Sequence, residues 1–228
     1  MKKTGAKQFT EIRGPALAVD VVAFTVKDGV FQVLLLKAKT APATNKWVLP
    51  GVFVGLTETL DTAAKRALQT KANIDINYLE QLYTFGEVGR DDRGRVVTSG
   101  HYALVDYKKF DLRTPASYAE IGWFPVDKLP VTGYDHKEII KAAVTRIRNK
   151  LQYSNVAVHL LPPVFTLTQL QRVYEAVLAR PLDKRNFRRK VLSLGVIRVA
   201  NGIEEAAAHR PARLFRFVTK KYQEIELV

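Results

Sequence analysis

An α/β fold is predicted for this chain by three observations. Segments rich in apolar, β-branched residues alternate with helical patterns through residues 15–150. The pair Pro162-Pro163 then breaks the pattern, because proline cannot continue a helix and turns the preceding residue away from helical geometry. Past the break the order becomes helix, turn, basic helix, hairpin. The first stretch predicts an α/β/α sandwich and the second a winged helix-turn-helix. Two domains are therefore expected, 1–154 and 155–228.

Each element has its own justification. Leu17 to Val26 is mostly apolar and β-branched, Asp28-Gly29 is a hairpin signal, and Phe31 to Lys37 resumes the strand. A loop from Thr40 to Lys46 leads through Trp47-Val48-Leu49-Pro50-Gly51 into a helix expected over Leu60 to Ala72. Leu79 to Glu87 and Arg95 to Tyr107 form a second strand pair around Arg90-Asp91-Asp92-Arg93-Gly94. A helix over His136 to Leu151 places Ile139, Ile140, Ala143 and Ile147 on one stripe.

In the second domain, Thr166 and Gln169 fit a capping box, with Phe165 and Leu170 at the staple positions. Leu170, Val173, Tyr174 and Val177 supply the apolar stripe of a helix that ends before Pro181. Asp183 can cap a helix from Lys184 to Leu194, and Gly195 can stop it. Val196 to Val199 and Leu214 to Val218 read as a hairpin, with Asn201-Gly202 expected at the turn.

Composition narrows the function. The 228 residues are 47% hydrophobic, enough for a packed core. There is no cysteine, which excludes disulfides and thiolate metal sites and suits a reducing cytosol. Met1-Lys2-Lys3 resembles the start of a signal peptide, but Gln8, Glu11 and Arg13 interrupt any apolar segment. No run approaches the roughly 18 apolar residues of a membrane span. A cytoplasmic protein without membrane contact is expected. The four histidines, His101, His136, His159 and His209, are scattered without zinc-site spacing, so no metal and no cofactor is expected. His136, next to Asp135 at a helix start, is expected to be a structural or capping residue.

The net charge is +14, and its distribution carries information. Residues 155–228 hold 13 Lys+Arg against 6 Asp+Glu, and the first 154 hold 23 against 16. Equal excess in half the length points to a polyanionic partner for the C-terminal part. Phe187, Val191 and Leu194 share one face of the second helix there, while Lys184, Arg185, Arg188, Arg189 and Lys190 crowd the remainder. In a winged helix-turn-helix that helix enters the major groove of double-stranded DNA. Its arginines can grip phosphate or guanine edges, and Asn186 can read adenine.

Residues 49–74 read LPGVFVGLTETLDTAAKRALQTKANI. This stretch resembles the Nudix box, G-x5-E-x7-R-E-U-x-E-E-x-G-U, where U is bulky and aliphatic. Glu58, Arg66, Leu68 and Ile74 match, whereas Val52 and Asn73 replace the two glycines. The three remaining carboxylate positions read Ala67, Thr70 and Lys71, on one helix face by their spacing. In hydrolytic relatives that face holds a divalent metal, which needs oxygen ligands. Here it offers a methyl, a hydroxyl and an ammonium. The resemblance therefore implies a Nudix domain that keeps its Glu58–Arg66 tie and is not an enzyme; no catalytic residue is assigned.

The whole chain resembles the Nudix-related transcriptional regulators of NAD metabolism. The matching segments are Arg90-Asp91-Asp92-Arg93-Gly94, residues 165–170, residues 186–191 and Arg210-Pro211-Ala212-Arg213-Leu214-Phe215. The resemblance implies a homodimeric repressor on a palindromic operator, released by ADP-ribose; a branch of the same architecture answers arabinose, and residual hydrolysis is the other competing reading. On this view Thr168, Arg210 and Arg213 join the basic helix in contacting DNA. Arg90, Arg93 and Arg95 would meet the effector's pyrophosphate, and Lys71 would replace the metal in neutralising it. Trp47, Phe53, Phe85 or Tyr102 would stack on adenine, with core packing as the competing role for each ring.

Overall fold

The computed structural model describes residues 14–76, 78–204 and 212–225 of the protein. Strands β1 (Ala16–Lys27) and β2 (Val30–Ala38) pair antiparallel. Asp28 and Gly29 between them have φ of 52° and 76°. Two positive φ angles in a two-residue connection give the turn whose twist matches the strands. After β3 (Trp47–Val48) and β4 (Gly51–Phe53) comes helix α1 (Leu60–Ala72), then β5 (Leu79–Phe85), β6 (Val96–Leu104) and β7 (Tyr118–Pro125). The sheet order is β3-β2-β1-β6-β5, with β4 added to β1 and β7 to β2. Only β1 and β6 run parallel among these pairs.

Alternation along β1 sorts its side chains between two layers. Val19, Val21 and Ala23 pack with Ala63, Ala64, Ala67 and Leu68 of α1. Val22 and Phe24 face the opposite way, onto Ile139, Ile140, Ala143 and Ile147 of helix α2 (His136–Tyr153). Helix, sheet, helix is the predicted sandwich. Helix α1 starts where Thr59 accepts from the Thr62 amide and ends at Asn73, whose φ of 55° is left-handed. Asparagine thus performs the stop that glycine performs in the family pattern.

The C-terminal domain grows out of α2 through a short 3-10 turn (Val156–Leu160). A two-residue strand β8 (Phe165–Thr166) precedes α3 (Leu167–Leu178) and α4 (Lys184–Ser193). The capping box is present in full: Thr166 accepts from the Gln169 amide, and Gln169 accepts from the Thr166 amide at 2.8 Å. Strands β9 (Ile197–Glu204) and β10 (Ala212–Phe217) complete a three-stranded sheet with β8. One expectation is corrected here. Asn201-Gly202 is not the turn, because β9 runs through it and Ile203 and Glu204 still pair with Arg213 and Ala212. Cross-strand pairing overrides the local turn signal. Arg210 and His209 lie outside the described residues.

The two domains share one apolar core. Val173, Tyr174 and Val177 of α3 and Phe187 and Val191 of α4 are contiguous with the α2 side of the sandwich. Among the described residues no helix is long and apolar enough to cross a membrane.

Candidate functional site: a cleft without metal carboxylates and a basic helix

The box tie forms as its residues demand. Arg66 donates through Nε to Glu58 Oε2 at 3.0 Å and through Nη2 to Oε1 at 2.5 Å, a bidentate pair. A further Arg66 bond reaches the Phe53 carbonyl, and the Gly55 amide donates to Glu58. These bonds fasten the loop before α1 to the helix. They also hold the Glu58 carboxyl below the usual carboxylate range, with the Arg66 hydrogen bond as the main cause. A carboxylate so engaged is not free to ligate a cation. At the other positions Ala67 is buried in the core and Thr70 donates to the Arg66 carbonyl. The donor set does not fit a divalent metal. Among the described residues no group of three His, Asp or Glu could hold a metal ion.

Beside the box lies a cavity of about 510 Å³. Phe53, Lys71, Arg90 and Arg93 of the predicted effector residues line it, together with Val52 and Arg66. The other four do not. Tyr102 is fully buried and pairs with Val22, one step past Asp20 on the cleft-side face, so it points to the cleft's face but lies too far along the strand. Trp47 packs edge-on against Phe124 and Phe85 against Tyr83. Arg95 donates to the carbonyls of Gly86 and Glu87 and closes its own hairpin. For these three, sheet and loop packing claims the side chain.

Arg90 lines the cavity in a different role from the one expected. Its side chain is 4% exposed and donates to Asp135 at 2.7 and 2.8 Å and to Asp20 at 3.2 Å. Asp20 is a lone acid in an apolar strand. Burial pushes its carboxyl up, but His136, Arg90 and Thr98 together hold it below the ordinary value. His136 accepts from the Leu49 amide through Nδ1 at 2.8 Å and approaches Asp20 through Nε2 at 3.5 Å. Asp20, Arg90 and His136 of this network form the cleft floor, and the bond to Leu49 gives His136 a structural role although its ring also lines the cavity.

The cleft walls carry more usable charge. Arg93 pairs with Asp91 at 2.6 Å and lies over the rings of Phe53 and Tyr134 at 5.2 and 5.6 Å. Lys71 lies over the Tyr118 ring at 5.3 Å. Among the described residues Lys71 is the one cation of the lining with no carboxylate partner. Tyr118 and Tyr134 were missed in the sequence. Tyr134 has a φ of 54°, a conformation no local pattern announces, and Tyr118 arrives through β7 pairing. Asp20 did leave a signal, since an acid inside an apolar run calls for an explanation.

On the C-terminal domain most of the predicted basic residues that are described lie at the surface. Asp183 accepts from the Asn186 amide at 2.7 Å and starts α4, while Phe187 and Val191 anchor it to the core. Lys184, Arg185, Asn186, Arg189 and Lys190 are exposed, as are Thr168 and Arg213. Arg188 donates to Thr168 at 2.9 Å, joining α4 to the first turn of α3. Arg189 donates to Asn186 at 3.0 Å. The arrangement presents several cationic and amide donors around the exposed surface of one helix.

Comparison with known proteins agrees with both halves. A profile of the Nudix domain matches residues 14–143, and one of the NrtR DNA-binding winged helix domain matches residues 157–217. An ADPR responsive transcriptional repressor from Acinetobacter baylyi is 35% identical over 94% of this chain and 87% of its own. The crystal structure of Shewanella oneidensis NrtR complexed with a 27mer DNA has a TM-score of 0.77 and 33% identity, covering 88% of this chain and 93% of that one. The Nudix domain of the same protein, in complex with ADP ribose, matches at a TM-score of 0.54 and 33% identity, over 60% and 90% of the two chains. The chain belongs to the NrtR family of transcriptional regulators, in which a Nudix domain that is not a hydrolase precedes a DNA-binding winged helix.

Proposed function

We propose that the protein is a cytoplasmic homodimeric repressor whose Nudix cleft binds ADP-ribose without cleaving it and so releases a palindromic operator. The observation that carries this reading is Lys71, an unpaired ammonium in the cleft at a position where metal-binding relatives have a carboxylate. A pyrophosphate supplies the missing charge, whereas a neutral sugar would leave Lys71 uncompensated. Phe53, Tyr118 and Tyr134 offer ring faces to the remainder of such a ligand. The relatives' ligands, DNA and ADP ribose, point the same way.

On the DNA side, Lys184, Arg185, Arg188, Arg189, Lys190 and Arg213 would supply salt-dependent phosphate contacts, and Asn186 with a subset of the arginines would read bases. We place the domain division at 154/155, directly after α2 ends at Tyr153. Helix α2 joins the two sites. Its start meets the cleft floor through Asp135 and His136, and near its end Arg148 donates to the Val177 carbonyl of α3 at 2.9 Å.

The test is calorimetry of ADP-ribose in buffer containing EDTA. Binding is expected without metal, and Lys71→Glu is expected to weaken it by about tenfold or more, the scale of one charge-assisted contact. Magnesium-dependent turnover that Glu58→Gln abolishes would overturn the sensor reading.

A further inference from the structure

A second cavity, of about 470 Å³, lies where the two domains meet and shares no lining residue with the Nudix cleft. Its floor is apolar. Ile76, Leu104 and Val105 close it from the sandwich, and Val158 and Leu161 from the segment after α2, all of them buried. Its rim is basic, with Lys109, Lys220 and Lys221. None of the three makes an ion pair among the described residues. Asp75 and Asp106 also line the cavity, and Asp106 is engaged in capping, accepting from the Lys108 amide at 3.2 Å.

The rim is held in place. Asn155, nearly fully buried, donates through Nδ2 to the Lys221 carbonyl at 2.9 Å and accepts from the Gln223 amide at 3.0 Å. Its own amide donates to the Gln223 carbonyl at 3.1 Å. These bonds fix the chain after β10 beside His159, whose ring stacks on Tyr78 with centroids 4.4 Å apart. The His159 imidazole makes no hydrogen bond among the described residues. Burial, with the charge of Lys220 added, pushes its pKa down to about 4, so at neutral pH it offers an uncharged N–H.

We infer that this interdomain cavity is a second ligand site, taking a small organic anion with an apolar body, a phosphate monoester being the class that fits best. The volume is that of a ligand pocket. Three ammoniums against the two carboxylates of Asp75 and Asp106 leave a net positive rim over an apolar floor, so the ligand's charge belongs beside Lys220 and Lys221 and its body below. Because both domains build the walls, an occupant would brace one against the other, and linkage then couples it to any function that moves them. This inference goes beyond the ADP-ribose reading and uses none of its residues.

Phenyl phosphate is the probe, titrated into the full chain carrying Lys71→Glu so that the Nudix cleft is disabled. Binding is followed by calorimetry and by the His159 ring-proton resonance. Saturable binding is expected, with movement of that resonance, tighter than inorganic phosphate alone. Adding Lys220→Ala and Lys221→Ala is expected to weaken it at least tenfold. No binding, binding equal to that of inorganic phosphate, an unmoved His159 resonance, or affinity untouched by the lysine substitutions would each overturn the inference. ADP-ribose affinity of the chain with only Lys220→Ala and Lys221→Ala should stay unchanged, so the two sites fail or stand separately.

Discussion

Asp20, Arg90 and Asp135 show how charge inside this cleft is divided between structure and recognition. Arg90 faces two carboxylates in a buried setting, where removing one partner leaves uncompensated charge. Arg90→Ala is therefore expected to lower stability by about 3–5 kcal/mol in chemical denaturation. A loss within the ordinary surface range would show that the network is not a buried one. Lys71 and Arg93 keep ring contacts on the cavity side, where the proposed recognition would act. The division was partly legible. A motif with fixed spacing exposed Glu58, Arg66 and Lys71, because one loop and one helix hold all three. Arg90 was legible as a cleft residue but not as a buried one, since Asp20 and Asp135 come to it from 70 and 45 positions away. Tyr102 was misplaced because alternation gives the face of a strand but not the distance along it.

Elements were easier to read than residues, because their signals are local. The Asp28-Gly29 turn, the Thr166–Gln169 capping box and the Asp183 cap are each completed within a few positions. The Asn201-Gly202 signal failed for the complementary reason: β10 pairs across it. The cap of α4 matters most for the proposed DNA contact, because that helix has ten residues and only two buried side chains, Phe187 and Val191, to hold it. Asp183→Ala removes the acceptor for the Asn186 amide and is expected to cost about 1 kcal/mol. DNA affinity should fall with it, while ADP-ribose affinity measured by calorimetry should not change. Equal loss of both ligands would mean that the cap supports the whole fold and not the reading helix.

At the scale of the molecule, α2 ties the cleft floor to the winged helix, and the apolar core runs unbroken between the domains. That continuity was invisible in the sequence, where Pro162-Pro163 marked a break and suggested separation. Arg148→Ala removes the bond to Val177 and is expected to reduce the effect of ADP-ribose on DNA affinity while leaving each separate affinity within about twofold, since coupling is a free energy of its own. Unchanged coupling in that variant would remove α2 from the path. Release of DNA by a ligand in the Nudix cleft is read out by fluorescence anisotropy of a labelled duplex from the gene's own upstream region, titrated with ADP-ribose in EDTA. The predicted result is a salt-dependent complex that ADP-ribose dissolves without metal and that persists when the chain carries Lys71→Glu. A complex indifferent to ADP-ribose, formed by a protein that hydrolyses the compound once magnesium is added, would contradict it.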